Sequence, residues 1–195
     1  MNVIRRMAAP TMGSGDRLFC PASCTLDIEE KYRFTLERRW AVGPAGLHPS
    51  LRAADLALFV MLNPSTADAL KDDATIRRCT GFVKSWGLVG FDVVNLFALR
   101  ATDPKKLVDI YGAGSEMAYD TMLNNGFLLD AGRQKYAVTI FAWGANGALN
   151  YRDRVVAGFF NNVMPQVFGT TKVGQPLHPL RLAKTTKLIP YRKAL

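Results

Sequence analysis

No apolar run in this 195-residue chain approaches the roughly 20 residues needed to span a bilayer, although 49% of its residues are hydrophobic. The opening MNVIRRMAAP carries charge with no apolar segment behind it, so it does not read as a secretory signal. The expectation is a cytoplasmic protein with no membrane partner. Cysteine is scarce and odd in number: Cys20, Cys24 and Cys79. An odd count speaks against a disulfide framework, and the Cys20/Cys24 pair has no second close pair to complete a tetrahedral site. Free thiols, no metal and no cofactor are therefore expected. Several nucleotide and acyl-transfer signatures are missing as well. There is no P-loop, no Gly-x-Gly-x-x-Gly, no Gly-x-Ser-x-Gly elbow and no paired-Cys deaminase motif. P-loop hydrolysis of nucleoside triphosphates and zinc deamination are set aside on that ground.

Acidic residues are also few, 16 against 25 Lys and Arg, for a net charge of +9. The imbalance is greatest at the end of the chain. Residues 171–195 hold six basic side chains (Lys172, Arg181, Lys184, Lys187, Arg192 and Lys193) and no acidic one. Such a tail neutralises phosphates, which makes nucleic acid the first partner to consider. A solvated tail that aids solubility explains the same composition equally well.

What is present is an alternation of strands and helices. Residues 1–30 lack periodicity and read as a loose leader, and 31–195 read as one α/β domain with a basic C-terminal tail. In residues 32–37, Tyr32, Phe34 and Leu36 alternate with Arg33, Thr35 and Glu37, the period of a half-buried strand. Residues 43–50 (GPAGLHPS) form a turn-rich loop. LALFVML (56–62), FDVVNLF (91–97), YAVTIFA (136–142) and the shorter 165–168 read as buried strands. Helices are expected over 72–86, with Ile76, Cys79, Val83 and Trp86 inward, Asp72 or Asp73 as cap and Gly87 as stop. Two more are expected over 115–129 and 151–163, the latter with Val155, Val156, Phe159 and Phe160 inward. The pattern implies a three-layer α/β/α fold with a mostly parallel four-stranded sheet, preceded by an N-terminal strand or hairpin.

In open α/β sheets ligands sit beyond the carboxyl ends of the strands. Four loops fall there, and each carries polar residues. Asn63 can accept from water and donate to a carbonyl, and Ser65 and Thr66 can hold a phosphate where a helix begins. An Asx-Pro turn with a helix cap accounts for the same residues. Asn95 lies inside an otherwise apolar strand, where it needs a partner in a neighbouring backbone or in a base edge. His178, stiffened by Pro176 and Pro179, is placed to donate to a developing oxyanion.

The segments MLNPSTAD, DDATIRRC, VVNLFALRATDP, AWGANG and TKVGQPLHPL resemble a bacterial and phage family of unknown function, domain-of-unknown-function family sixteen forty-three. The resemblance runs over about residues 32–182. More distantly, the order of motifs is similar to the uracil-DNA glycosylase superfamily, with its four-stranded parallel core. That resemblance implies that Asn63 positions the attacking water, Asn95 reads the base edge and His178 stabilises the leaving base. Ser65 replaces a glycine of that superfamily's first loop, and Leu180 replaces the Ser of its His-Pro-Ser loop. Asp68 is an added candidate general base. Phe97 and Trp143 are candidates to stack on an extruded base, with core packing as the alternative. Phosphate contacts fall to Ser65, Thr66, Lys71, Arg77, Arg100 and Lys172. The implied function is a nucleobase-directed hydrolase cleaving an N-glycosidic bond in DNA. The alternatives are a non-catalytic nucleic-acid-binding module on the same fold and an enzyme acting on small nucleotides.

Overall fold

The computed structural model describes residues 4–8, 22–40, 52–103, 105–112 and 119–192. The loop 43–50 with His48, and also Cys20, Pro104 and Lys193, lie outside the described residues. Eight strands are described: β1 Ile4–Ala8, β2 Ala22–Asp27, β3 Arg33–Arg39, β4 Ala57–Met61, β5 Gly90–Asn95, β6 Val138–Phe141, β7 Gln166–Val167 and β8 Ile189–Pro190. The α-helices are α1 Ala74–Ser85, α2 Lys105–Tyr111, α3 Tyr119–Arg133 and α4 Arg152–Gly158.

Strand β4 organises the molecule. All five of its residues are buried, as a continuous apolar run demands. Ala57, Phe59 and Met61 point to one face and pack with Ile76, Cys79 and Val83 of α1. Leu58 and Val60 point to the other and pack with Leu107 of α2, Leu128 of α3 and Val156 of α4. Helices thus cover both faces. Each large apolar side chain removed from water here stabilises by about 1.5–3 kcal/mol.

The sheet is larger and more mixed than the four-stranded, mostly parallel one expected. Its order is β1-β2-β3-β5-β4-β6-β7-β8. The pairs β5/β4, β4/β6 and β6/β7 are parallel. The pairs β1/β2, β2/β3, β3/β5 and β7/β8 are antiparallel. Two of the extra strands, β1 and β2, lie within the stretch expected to be a loose leader. β1 is an edge strand with Arg5 and Arg6 exposed, and Arg6 pairs with Glu37 at 2.8 Å. A charged edge has no apolar alternation to read, which is why the sequence hid it.

The C-terminal segment is not a free tail either. β8 pairs with β7, and Tyr191 packs edge-on against Phe141 with ring centroids 5.2 Å apart.

Helix α1 forms as expected. Asp73 is the cap, accepting from the Ile76 N–H at 2.8 Å, while Asp72 pairs with Arg38 at 2.7 Å. Gly87 ends the helix at φ +73°, a conformation that favours glycine. Over 151–163 the expectation is too long. A 3-10 stretch with left-handed Asn150 and Tyr151 precedes α4, which stops at Gly158 and leaves Val155 44% exposed. Helix α2, absent from the sequence reading, buries Leu107 and Tyr111.

Candidate functional site

β4 lies between β5 and β6, so the chain winds to opposite sides from it. The crevice beyond its carboxyl end is the switch point where open α/β sheets take ligands. A cavity of about 500 Å³ occupies that place. Asn63 and Ser65 enter it after β4, Asn95 from the last residue of β5, Trp143 after β6 and His178 after β7. The remaining candidates, Thr66, Asp68, Phe97, Arg77, Arg100 and Lys172, do not line it.

Asn95 is 1% exposed, and its Nδ2 is buried with no hydrogen-bond partner. Its backbone is held from α3, where Asn124 Nδ2 donates to the carbonyls of Asn95 and Leu96 at 2.9 and 3.1 Å. Arg152 of α4 adds two donations to the Leu96 carbonyl at 3.1 and 2.8 Å. The strand end is therefore rigid while the amide at its tip is unsatisfied. An unpaired buried amide donor costs about 1–3 kcal/mol.

His178 accepts from the Leu180 N–H at its own Nδ1, 3.3 Å away. That bond puts the proton of the neutral ring on Nε2. Burial, partly offset by the charge of Asp73, holds the imidazole below its ordinary pKa and so neutral at pH 7. The loop after β6 is pressed against it. Gly144 adopts φ +77°, and its N–H donates to the Pro176 carbonyl at 2.9 Å. Trp143 is fixed by its Nε1–H donating to Gln175 at 2.7 Å and by packing on Phe141 at 4.6 Å. A side chain at Gly147 would place its Cβ 2.0 Å from the Trp143 ring.

The Asn63 amide is largely committed to structure. Its Nδ2 donates to the carbonyls of Pro64 at 3.0 Å, Leu99 at 3.3 Å and Ala101 at 2.8 Å. This ties the loop after β4 to the loop after β5 and leaves Oδ1 for a water or ligand.

Asp68 does not line the cavity. One of its oxygens accepts from the Leu70 and Lys71 N–H groups at 2.8 and 2.9 Å. Burial pushes this carboxyl up, but the two backbone donors and the charges of Arg100 and Arg38 outweigh it and hold it below the usual range. It closes a turn, and the general-base role read for it from sequence has no geometric support.

Ser65 and Thr66 do not stand at a helix start, because α1 begins only at Ala74 and is capped by Asp73. Arg100 instead braces their loop, reaching the Thr66 carbonyl at 3.4 Å and the Glu30 carbonyl at 3.1 Å. Phe97 is core, packed on Tyr111 at 4.9 Å. Arg77 is bound to the Asp72 carbonyl at 2.7 Å, and Lys172 sits on an exposed turn.

Two charged residues in the cavity wall escaped the sequence reading. Asp73 supplies a carboxylate from the head of α1, and Arg33 a guanidinium from β3. The alternation of 32–37 assigned Arg33 to the solvent face, yet it is 2% exposed. Its Nη1 donates to the Ala67 carbonyl, and its Nε is buried without a partner. Burial, opposed by the charge of Asp73, lowers its pKa to about 10, so it remains a cation at neutral pH.

The family model described as a protein of unknown function (DUF1643) matches residues 33–180. The chain belongs to this family. The DUF1643 match contains Arg33, Asn63, Asp73, Asn95, Trp143 and His178, and leaves β1, β2 and β8 outside. No curated protein and no solved structure matches the chain. Among the described residues, no helix is long and apolar enough to cross a membrane.

Proposed function

We propose that this protein is a nucleobase-directed hydrolase that cleaves an N-glycosidic bond in DNA. The observation that carries the reading is the Asn95 amide, whose donor is buried, unpartnered and in the cavity wall. An Asn amide offers a donor and an acceptor side by side, the pattern that matches a base edge. At about 500 Å³ the cavity is within the range of small-ligand sites.

The chemistry follows from the positions of the remaining groups. An extruded base enters the cavity, at about a few kcal/mol of lost stacking and pairing. Asn95 reads its edge beside the wall formed by Trp143. Neutral His178 donates through Nε2–H to a base carbonyl as charge develops there. Asn63 Oδ1 accepts from the attacking water, and the Asp73 carboxylate, in place of Asp68, takes the water's proton. The water oxygen bonds to C1′, the C1′–N bond breaks, and its electron pair leaves with the base, which is protonated on release.

A shallower groove of about 340 Å³ adjoins the cavity across Leu180 and is lined by Arg77, Arg78 and Lys184. Three cations with no carboxylate suit the phosphates flanking the extruded nucleotide.

The deciding experiment is a base-release assay on single- and double-stranded oligonucleotides carrying uracil, hydroxymethyluracil, hypoxanthine or mismatched thymine. Release is expected for at least one base and is lost in Asn95→Ala and His178→Ala. Salt-sensitive binding without release from any substrate would replace the hydrolase with a binding module.

A further inference from the structure

Arg33 lines the cavity, and the proposed base-reading scheme does not use it. It is a buried cation, and among the described residues no carboxylate lies within ion-pair distance of it. Its Nη1 donates to the Ala67 carbonyl, while its Nε is buried without a hydrogen-bond partner. The neighbouring charges are Asp73, which favours the cation, and Arg100 and Arg38, which oppose it. Burying a charge so incompletely compensated is unfavourable in the empty protein. An anion entering the cavity removes that penalty. Asn95 Nδ2, the other unpartnered buried donor of the same cavity, requires an acceptor at the same time.

We infer that Arg33 and Asn95 together form a receptor for a planar acceptor anion on the buried side of the cavity. The Nε edge of a guanidinium engages two in-plane oxygens or an oxygen and a nitrogen, as in a carboxylate or a deprotonated pyrimidine imide. With the hydrolase reading above, on which the ligand's identity rests, the anion is the departing base, and Arg33 takes the charge that the broken glycosidic bond leaves on it. The receptor itself depends only on the two orphan donors.

Calorimetric titration of the full chain with acetate and with uracil, at matched chloride, tests this. The wild type is expected to bind at least one of them. Loss of a charged hydrogen bond in Arg33→Met corresponds to about 10- to 100-fold weaker binding. The same variant should melt no lower than wild type, because an apolar side chain of similar volume replaces an unpaired buried cation. An Arg33 with a purely structural role would lower the melting temperature instead. If Arg33→Met does not fold, Arg33→Lys decides, since it keeps the charge but not the fork. Weakened binding supports the receptor, and unchanged binding overturns it. Failure of the wild type to bind either probe also overturns it. Acetate binding that depends on Arg33, with no base release from any oligonucleotide, would keep the receptor and remove the hydrolase reading.

Discussion

Asn124 Nδ2 donates to the backbone carbonyl of Asn95 at 2.9 Å, while the Asn95 side chain keeps its own amide donor unpaired in the cavity wall. One asparagine satisfies the backbone so that the other is left for a ligand. Had Asn95 turned to satisfy a backbone acceptor, its donor would not be orphaned. The strand end is held by α3 and α4, and the unmet hydrogen bond is left at Asn95 Nδ2, in a residue that lines the cavity.

Asn95→Leu should therefore separate stability from function. Removing the orphan donor relieves up to about 1–3 kcal/mol, so the melting temperature is expected to hold or rise. Base release is expected to fall by about 100-fold or more, as for loss of one preorganised donor. A lower melting temperature would show that Asn95 has a structural partner.

For Asn63 the order of two variants is informative. Asn63→Ala removes three donations to backbone carbonyls, at a cost of about 1–3 kcal/mol. Asn63→Asp puts an acceptor against those same carbonyls and should be the less stable of the two in chemical denaturation. Equal stabilities would mean the amide nitrogen is not what joins the two loops.

His178 sets a pH dependence with a definite sign. Its folded pKa lies below the ordinary value because of burial, so the unfolded chain binds the proton more readily. The contribution is full above about pH 6.5 and is lost as the pH falls through the folded value. Relative to His178→Gln, the wild type should lose melting temperature between about pH 7 and pH 5. Parallel curves for the two proteins would contradict the assignment.

Gly147→Ala is expected to destabilise by about 1–3 kcal/mol, because the added carbon would sit 2.0 Å from Trp143 Cδ1 and 2.9 Å from Gln175 Oε1. The Trp143–Gln175 bond would break, which a shift in tryptophan emission reports. A variant of native stability and spectrum would show that the 145–151 loop moves aside freely.

Much of the frame was legible before folding was considered. The apolar runs at 56–62 and 91–97 read as buried strands and hold β4 and β5, and Asp72 or Asp73 with Gly87 bounded α1, because these are local effects of hydrophobicity, capping and backbone freedom. Asn95 stood out for a related reason, as a polar residue in a run that has to be buried. The strand-end rule then placed Asn63, Asn95, Trp143 and His178 near one another.

What the local pattern could not decide was which charged side chains the assembled sheet would bury. Arg33 falls on the polar side of an alternating segment, the side that reads as solvent-facing. Its burial comes with contacts from distant loops, its backbone N–H donating to the Ala98 carbonyl and its Nη1 to the Ala67 carbonyl. In the sequence, Asp68 reads as the candidate base and Asp73 only as a possible helix cap. The turn at 68–71 consumes one carboxylate, and the start of α1 presents the other to the cavity. Strands β1 and β8 are likewise tertiary products, edges whose pairing rests on backbone hydrogen bonds rather than on an apolar stripe. The sequence by itself determined the buried strands β4, β5 and β6 and the helix α1, through periodicity, burial and capping. The tertiary structure alone decided the electrostatics of the site, because desolvation of a charge depends on neighbours brought from distant parts of the chain.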